Sequence, residues 1–464
     1  MTAEYGDVCF DTDLIVKYGG RGPRYTSYPT ALQFNESLTV DDYQQRVLDS
    51  NDSGVPLSLY VHIPFCHSLC YYCGCNKIIT RNEERVQKYM GNLYREIALQ
   101  SKLISPDRKV EQLHFGGGTP TYLDADQLRH LMQELGKAFN FDSSDHREFS
   151  IEVDPRTVDA DSIRVLAELG FNRLSLGIQD FEPDVQKAVN RIQTAEQVRE
   201  LTDAARAAGF GSISYDLIYG LPLQTADSFN RTLDEVIELR PNRLAVYNYA
   251  HLPQRFKGQR MINDLDIPLP ETKLAILKNT IERLCSAGYI YIGMDHFALP
   301  DDELVQARRN STLQRNFQGY STHRQCDLVS LGVSGIGNIG NMFAQNSLTT
   351  MEYEDILERG ELPIRKGIVV DRDDQIRAAV IQALMCYDSV NFDAIGKQEG
   401  IDFRDYFAKE IERLAPLAAD DLIELDNDGV TITPQGRLLL RSIAMVFDRY
   451  IDQKENDNRF SKAI

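Results

Sequence analysis

The stretch LSLYVHIPFCHSLCYYCGCNK, residues 57–77, joins a strand-like apolar run to a loop that carries four of the chain's eight cysteines. These four, Cys66, Cys70, Cys73 and Cys75, have the spacing C-x3-C-x2-C-x-C. Zinc sites prefer two separate C-x2-C knuckles, and the sequence has no second knuckle. A tight loop can instead direct several thiolates at one iron–sulfur cluster. The spacing therefore favours an iron–sulfur site over zinc or disulfide bonds.

The composition limits the partners that the chain can have. Its 464 residues carry a formal net charge of −19, which disfavours broad binding to nucleic acid or to an anionic membrane surface. No apolar run approaches the roughly 18 residues of a membrane span. Residues 1–13 lack the charged and apolar regions of a signal peptide. We therefore expect a cytoplasmic protein whose cysteines are reduced.

Strand-like and helical stretches alternate along most of the chain. The strand-like runs are 57–63, 110–115, 149–153, 173–178, 213–218, 243–248 and 289–294. The helical stretches between them include 82–103, 124–139, 195–208, 228–239 and 271–287. Strands that alternate with helices predict an α/β fold with a parallel sheet. Six or seven such units predict a full or partial barrel.

Distinctive residues follow the ends of these strands. Cys66 comes three residues after the first strand, Gly116–Gly118 follow the second, and Gln179 follows the fourth. In barrels of this kind the active site is built from the loops at the carboxyl ends of the strands. Glycines there allow a ligand to approach the backbone closely. The sequence therefore predicts that the cysteine loop and the glycine loop meet on one face.

The alternation of side chains within the strands predicts a polar interior. Strand residues alternate between two faces, and Glu152, Gln179 and Asp216 share the parity opposite to the apolar residues of their strands. The apolar parity should face the outer helices, so these three side chains should point into the barrel. Any one of them could be a solvated loop residue, but three on separate strands favour an internal polar site.

The N-terminal segment 17–30 is rich in glycine, proline and tyrosine, and it carries Arg21 and Arg24. This composition excludes a regular helix. The segment is either a surface arm packed by its tyrosines or an arm that supplies cations to an anionic ligand. We divide the chain into this arm (1–50), a barrel domain (51–365) and a C-terminal domain (366–464).

The C-terminal domain is predicted to be mainly helical and winged-helix-like. Its predicted elements are helices at 371–388, 393–399, 403–414 and 435–451 and a hairpin at 422–433. From residue 371 onward, 12 basic residues stand against 19 acidic ones, and this balance disfavours DNA binding. We interpret the domain as a lid or a substrate-facing domain.

The C-x3-C-x2-C spacing resembles the signature of the radical S-adenosylmethionine (SAM) superfamily, and Tyr72 supplies the aromatic residue typical of that loop. The resemblance implies an α/β fold, a partial (β/α) barrel of the radical SAM type with an N-terminal arm and a mainly helical C-terminal domain. It implies that Cys66, Cys70 and Cys73 hold three irons of a [4Fe–4S] cluster and leave the fourth iron to SAM. Cys75 is then either a catalytic redox or hydrogen-transfer group or an inert neighbour.

Longer segments resemble one family within this superfamily, the oxygen-independent coproporphyrinogen III oxidases. They include HFGGGTPTYL (114–123), SIEVDP (150–155), YDLIYGLP (215–222) and RNFQGYST (315–322), and the resemblance covers nearly the whole chain. It implies that the residues contacting one or two SAM molecules are Tyr60, Tyr72, Gly117, Gly118, Thr119, Glu152, Gln179, Arg191, Asp216, Ala250 and Ile336. Ala250 and Ile336 belong to the implied second SAM site. The segment 323–340 departs from the family pattern at Cys326 and in its extra glycines.

This resemblance implies conversion of coproporphyrinogen III to protoporphyrinogen IX, in which two propionate side chains become vinyl groups with loss of CO2. A radical derived from SAM would break the unactivated C–H bond. Arg21 and Arg24 are candidate contacts for the carboxylates of this substrate. The implied partners are the substrate and an electron donor protein such as a flavodoxin or ferredoxin, and the chain is expected to be a monomer. The alternatives are a radical-SAM-like haem chaperone and a simple electron-transfer protein.

Overall fold

The computed structural model describes residues 8–323 and 326–451, which form two compact units. The larger unit contains the described residues of Phe34–Ile276 and Gln325–Val369. The smaller unit contains those of Met1–Gln33, Leu277–Arg324 and Val370–Ile464. Both units are therefore discontinuous in sequence. The division into domains at 1–50, 51–365 and 366–464 stays a prediction.

A mixed β-sheet forms the centre of the larger unit. Six of its parallel strands are β1 (Leu57–Ile63), β2 (Lys109–Gly117), β3 (Glu148–Val153), β4 (Arg173–Gln179), β5 (Ser212–Tyr219) and β6 (Arg243–Asn248). They lie side by side in chain order. The sheet continues beyond β1 through β7 (Asp327–Leu331), β8 (Ile336–Ile339), β9 (Met342–Asn346) and β10 (Ile364–Val369). The predicted α/β partial barrel is thus confirmed.

One helix precedes the first parallel strand, and others connect the strands to one another. In the larger unit they include Val40–Asn51, Glu83–Ser101, Ala125–Ala138, Ala160–Glu168, Ala195–Ala207 and Ala226–Leu239. Each begins at a residue whose side chain accepts a hydrogen bond from the first turn, such as Asp124 and Thr225. Pro270–Ser286 then carries the chain from the larger unit into the smaller one. The helices predicted between the strands, from 82–103 to 271–287, are confirmed within a few residues at each end.

The predicted parity of the strands is visible in their burial. Along β4, Leu174, Leu176 and Ile178 are almost completely buried, whereas Ser175 and Gly177 are partly accessible. The apolar set packs away from the interior polar face because burial of aliphatic side chains dominates the stability of the sheet. The register also places neighbouring strands so that residues of like parity stand side by side.

The buried carboxylate of Glu96 connects the helix Glu83–Ser101 by hydrogen bonds to the part of the sheet that follows β7. Glu96 accepts hydrogen bonds from Gly332 N, Asn346 Nδ2 and Tyr353 Oη at 2.5–2.7 Å. Burial raises the pKa of Glu96 to about 7. These donors compensate for the removal of the carboxyl from water, so the contact specifies where helix and sheet meet.

The predicted seventh strand is not part of the parallel set. Ile290–Gly293 belongs to the smaller unit and pairs antiparallel with His296–Ala298. Gly293 and Met294 both have positive φ, which turns the chain back on itself. The predicted barrel strand at 289–294 is therefore wrong, and a further parallel strand is instead β7, Asp327–Leu331, which pairs parallel with β1.

Short helices and a three-stranded sheet form the C-terminal part of the smaller unit. The helices are Arg372–Tyr387, Phe392–Glu399, Phe403–Tyr406 and Ala408–Ala419. The sheet consists of Ser389–Asn391, Ile423–Leu425 and Gly429–Ile432. This arrangement confirms the predicted hairpin and mainly helical character.

The helix predicted at 435–451 is wrong. The chain there forms two 3-10 turns, Arg437–Leu439 and Met445–Phe447, around the short helix Leu440–Ala444. The segment is buried on several sides, since Leu440, Ile443, Ala444, Val446 and Phe447 are all in the core. Such a segment follows the shape of its surroundings instead of presenting one apolar face along a regular helix.

The N-terminal arm packs through its tyrosines. Tyr25 and Tyr28 are buried in the core of the smaller unit, and the Tyr25 hydroxyl donates to Asp448 Oδ2 at 3.0 Å. The Arg441 guanidinium donates to the backbone oxygens of Gly22 and Pro23. These contacts support the interpretation of a packed arm. No helix in the described residues is long and apolar enough to cross a membrane.

Candidate active site

A cavity of about 770 Å³ opens at the carboxyl ends of the strands in the larger unit. Its lining includes Cys66, Cys70, Tyr72, Cys73, Cys75, Gly117, Gly118, Thr119, Glu152, Gln179, Arg191, Asp216 and Ala250. The structure therefore brings together most of the residues singled out in the sequence. Tyr60 and Ile336 are not among the described residues that line this cavity. Arg21 and Arg24 belong to the smaller unit.

The cysteine loop is closed at its base by backbone pairing. The short strand Phe65–Cys66 pairs with Ile78–Ile79, and Thr80 N donates to Cys66 O at 3.2 Å. Within the loop, Cys73 N donates to Cys70 O at 3.1 Å. Backbone hydrogen bonds thus hold the loop in place, and its three predicted ligand residues all line the cavity.

The environments of the thiols differ. Burial is the main cause that raises the pKa of Cys66 to about 11, and the neighbouring Cys73 and Cys70 contribute to the rise. A hydrogen bond from the Cys75 thiol, with support from Lys77, lowers the pKa of Cys73 to about 6. Lys77 Nζ also donates to Cys73 O at 3.0 Å. Metal ligation requires thiolates, so a lowered pKa of this kind favours binding.

The glycine loop presses directly on the start of the cysteine loop. Gly117 has φ +123°, a conformation that side chains rarely adopt, and Gly118 N donates to Ile63 O at 2.8 Å. A Cβ on Gly118 would lie 2.7 Å from the backbone of Pro64 and 2.8 Å from Phe65 O. Glycine is therefore required for the two loops to meet.

Two carboxylates face the cavity from β3 and β5, the strands on either side of β4. Asp216 accepts a hydrogen bond from Ser175 Oγ at 3.0 Å, and Glu152 accepts one from Gly117 N at 3.2 Å. Burial raises the pKa of Asp216 to about 7, and the charge of Glu152 adds to this effect. His114 Nε2 lies 3.3 Å from Glu152 Oε1. A cationic group in the cavity would favour the ionised form of Asp216.

Gln179 and Arg191 each present a buried atom with no partner among the described residues. These atoms are Gln179 Oε1 and Arg191 Nε. Gln179 has φ +67°, an uncommon backbone conformation for a residue other than glycine. The other Arg191 nitrogens are engaged, with Nη1 3.0 Å from Asp154 Oδ2 and Nη2 donating to Gly177 O. Unpartnered buried polar atoms in a cavity are expected where a polar ligand completes the site.

The remaining predicted residues lie at different places. Tyr60 is half-buried and stacks on His114 at a ring separation of 5.8 Å, and its hydroxyl shares a hydrogen bond of 3.0 Å with His62 Nδ1. Ile336 begins β8, away from the cavity lining in the described residues. Nearby, a Cβ on Gly337 would lie 2.8 Å from Leu328 O, which explains one extra glycine of this segment by close strand pairing.

Sequence reasoning missed Arg156. This residue lies two positions after Asp154 in the turn that follows β3, and its guanidinium donates to Asp154 and to Cys70 Sγ. The only signal was the position of Asp-Pro-Arg at a strand end. Motif matching gave no reason to connect this arginine with a cysteine far away in sequence.

The site fits a [4Fe–4S] cluster and SAM. Three thiols on one loop meet the ligand requirement of a cluster with one open iron. The unpartnered Gln179 and Arg191 atoms, the acids Glu152 and Asp216 and the glycine backbone supply hydrogen-bonding groups of both kinds for an amino acid and a nucleoside. The three thiols and the polar groups that line the cavity therefore both fit the cluster and SAM.

Comparison with known proteins agrees with this geometry. Residues 60–236 match the radical SAM superfamily, and residues 370–439 match the HemN C-terminal domain. An oxygen-independent coproporphyrinogen III oxidase of Pseudomonas aeruginosa is 54% identical over 98% of this chain and 99% of that protein. The Escherichia coli relative of the same name is 49% identical over 98% of both chains.

A solved structure shows the same fold. The Escherichia coli coproporphyrinogen III oxidase, described as a radical SAM enzyme, superposes with a TM-score of 0.91 at 48% identity and covers 96% of this chain. Fold and cysteine loop together define a radical SAM enzyme, which uses a [4Fe–4S] cluster and SAM. Identity over the whole length narrows this class further. The chain belongs to the family of oxygen-independent coproporphyrinogen III oxidases.

Proposed function

We propose that the chain converts coproporphyrinogen III to protoporphyrinogen IX by radical SAM chemistry. Each of two propionate side chains gives a hydrogen atom to the radical derived from SAM, releases CO2, passes one electron to an external acceptor and becomes a vinyl group. The observation that carries the proposal is full-length similarity to enzymes of this name together with a three-cysteine loop facing a polar cavity. Removing hydrogen from an unactivated carbon exceeds the chemistry of amino-acid acids and bases, so the cofactor is essential.

The chain's own residues would hold and orient the cofactors. Cys66, Cys70 and Cys73 would hold three of the four irons, which leaves one without a protein ligand. When bound and reduced, the cluster and SAM supply the oxidant that removes the hydrogen atom. Arg191 would bind the SAM carboxylate through Nε, which has no partner among the described residues. Gln179 Oε1 would accept a hydrogen bond from the same ligand.

The acids of the cavity would match the positive charge of SAM. Asp216 has a pKa of about 7 because it is buried beside Glu152, so a cation close to it would stabilise the ionised state. Ser175 holds the Asp216 carboxylate in place through its hydroxyl. The aromatic residues Tyr72 and Phe256 line the cavity and would limit access of water to a reactive carbon centre.

Other contacts from the sequence remain proposals. Ala250 lines the cavity and could contact a second SAM with Ile336, and Cys75 lies beside Cys73 where it could act in redox or hydrogen transfer. Arg21 and Arg24 are proposed contacts for the substrate's carboxylates. Arg24 Nη1 lies 2.7 Å from Asp295 Oδ2, so its charge is partly balanced. We further propose a monomer that acts in the cytoplasm.

Anaerobic turnover tests the function. We expect the reconstituted protein, given SAM, a reductant and coproporphyrinogen III, to release protoporphyrinogen IX, two CO2 per substrate and methionine. Product identification by mass spectrometry measures this result. Tight haem binding with no vinyl product would instead support the haem-chaperone alternative. Absence of SAM cleavage would revive the electron-transfer alternative.

We propose that an acidic electron donor protein, such as a flavodoxin or ferredoxin, docks on the segment 249–263. This segment has no acidic residue and exposes Arg255, Lys257 and Arg260, in a chain of net charge −19. It also touches the cysteine loop, because Gln259 Nε2 donates to Tyr72 O at 2.9 Å. Opposite charges at a short distance from the cluster ligands favour productive encounters.

Charge reversal tests this docking surface. Changing Arg255 and Lys257 to glutamate is expected to slow cluster reduction by reduced flavodoxin about tenfold at low salt, as loss of electrostatic steering predicts. Stopped-flow absorbance measures the rate. Photoreduction with a neutral deazaflavin should be unchanged. The matched control changes the exposed Lys397 and Lys409 of the smaller unit to glutamate. Equal slowing in both variants would contradict the proposed surface.

A further inference from the structure

Arg156 contacts one of the predicted cluster ligands directly. It lies in the 3-10 turn Pro155–Thr157, which follows β3. Its Nη2 is 3.3 Å from Cys70 Sγ, a distance suited to an N–H···S hydrogen bond. Cys70 is the most buried of the three predicted ligands, with 8% of its surface exposed. The contact is therefore shielded from water.

The position of Arg156 is fixed by other bonds. Its Nε lies 2.9 Å from Asp154 Oδ1 and its Nη2 lies 2.6 Å from Asp154 Oδ2, so the carboxylate holds the guanidinium in a fork. Arg191 reaches the same sulfur from another direction, with Nη1 3.6 Å from Cys70 Sγ. The single carboxylate of Asp154 thus lies between two guanidiniums that both face Cys70.

Positive charge and N–H donors at a ligand sulfur act on electron transfer. Reduction adds one negative charge to a cluster, and part of that charge resides on the sulfur ligands. A donor aimed at the sulfur stabilises the reduced state more than the oxidised state and so raises the reduction potential. Burial strengthens this effect because water screens the interaction less.

We propose that the N–H···S contact from Arg156 to Cys70 raises the reduction potential of the [4Fe–4S] cluster and so makes the cluster easier to reduce. Arg156 is then a positioning residue that acts through a ligand. Arg191 shares the sulfur, but its unpartnered Nε assigns it mainly to SAM. The Nε and Nη2 atoms of Arg156 donate to Asp154 and Cys70, so Arg156 acts on the reduction potential of the cluster through the Cys70 sulfur. This inference rests on the proposed function for the presence of the cluster.

A redox titration tests the proposal. We expect the anaerobically reconstituted Arg156→Gln protein, without SAM, to hold a full cluster whose equilibrium constant for one-electron reduction is at least tenfold lower. For a one-electron couple this is a fall of about 59 mV in midpoint potential. Electron paramagnetic resonance of the reduced cluster at set potentials measures it. Iron content per chain checks that the cluster has assembled.

Two further variants make the result decisive. Arg81→Gln removes an arginine that lines the same cavity and has no recorded contact with a cysteine sulfur in the described residues, and its potential should stay at the wild-type value. Arg156→Lys keeps the positive charge but loses the fork, so its potential should also fall. It supplies the measurement if Arg156→Gln fails to assemble a cluster.

The outcomes separate this proposal from the proposed function. A wild-type potential in Arg156→Gln with a full cluster would overturn it, and so would a wild-type potential in Arg156→Lys, which would leave charge alone as the cause. An equal fall in Arg81→Gln would also overturn it. A wild-type protein that binds a cluster but forms no vinyl product would contradict the proposed function and leave the potential measurement valid.

Discussion

Replacing Cys70 with serine is expected to abolish the [4Fe–4S] cluster, with iron and sulfide falling to background after anaerobic reconstitution. Three thiolates are the minimum for a cluster that keeps one iron open, and serine oxygen is a poor substitute for sulfur at iron. Cys70 is also the most buried of the three predicted ligands, and its sulfur accepts hydrogen bonds from Arg156 and Arg191. Iron and sulfide per chain, together with the visible absorption spectrum, measure the result.

Cys75→Ser is the matched control for this experiment. Cys75 lies on the same loop two residues after Cys73, but it is the exposed fourth cysteine outside the C-x3-C-x2-C set. We expect this variant to bind a full cluster. Its turnover then reports whether the thiol takes part in redox or hydrogen transfer. A full cluster in Cys70→Ser, or a lost cluster in Cys75→Ser, would show that the ligand assignment is wrong.

Replacing Gly118 with alanine is expected to lower the free energy of unfolding by about 3 kcal/mol, because the new methyl group meets backbone atoms that cannot rotate away. A Cβ there would lie 2.7 Å from Pro64 C and O and 2.8 Å from Phe65 O. The cysteine loop starts at these residues, so cluster binding should weaken together with stability. Urea unfolding of the anaerobic protein and its iron content measure the two effects.

Gly91→Ala provides the control for the glycine experiment. Gly91 lies inside the helix Glu83–Ser101, and a Cβ there would have no heavy atom within 4 Å. Alanine favours a helix over glycine by about 1 kcal/mol, so this variant should be slightly more stable and should keep its cluster. If Gly118→Ala were as stable as Gly91→Ala, close contact between the two loops would not be needed.

Most strands and helices of the barrel could be predicted from the sequence because their patterns depend on residues that are close together in the chain. Alternation along a strand such as Arg173–Gln179 and the caps of the helices depend on neighbouring residues. The parity of Glu152 and Asp216 also follows from alternation, and the structure places both side chains in the cavity. Their proposed roles toward SAM still depend on family resemblance.

What the sequence did not reveal depends on distant contacts. The segment 435–451 reads as a helix, yet its surroundings bury several of its sides and break it into turns. The contact between Arg156 and Cys70 joins residues that are 86 positions apart, and no local sequence pattern predicts it. The membership of Ile290–Gly293 in the smaller unit likewise follows from packing at long range.

The pairing of the first barrel strand has a consequence for synthesis of the chain. β1 lies between β2 and β7, and β7 comes after β2–β6 in the sequence. During synthesis on the ribosome, one edge of β1 therefore stays unpaired until residues 327–331 have been made. An unpaired edge of such apolar character invites association with other nascent chains. Translation that stops before β7 should thus yield insoluble fragments, and chaperone demand should fall only once that strand has been made.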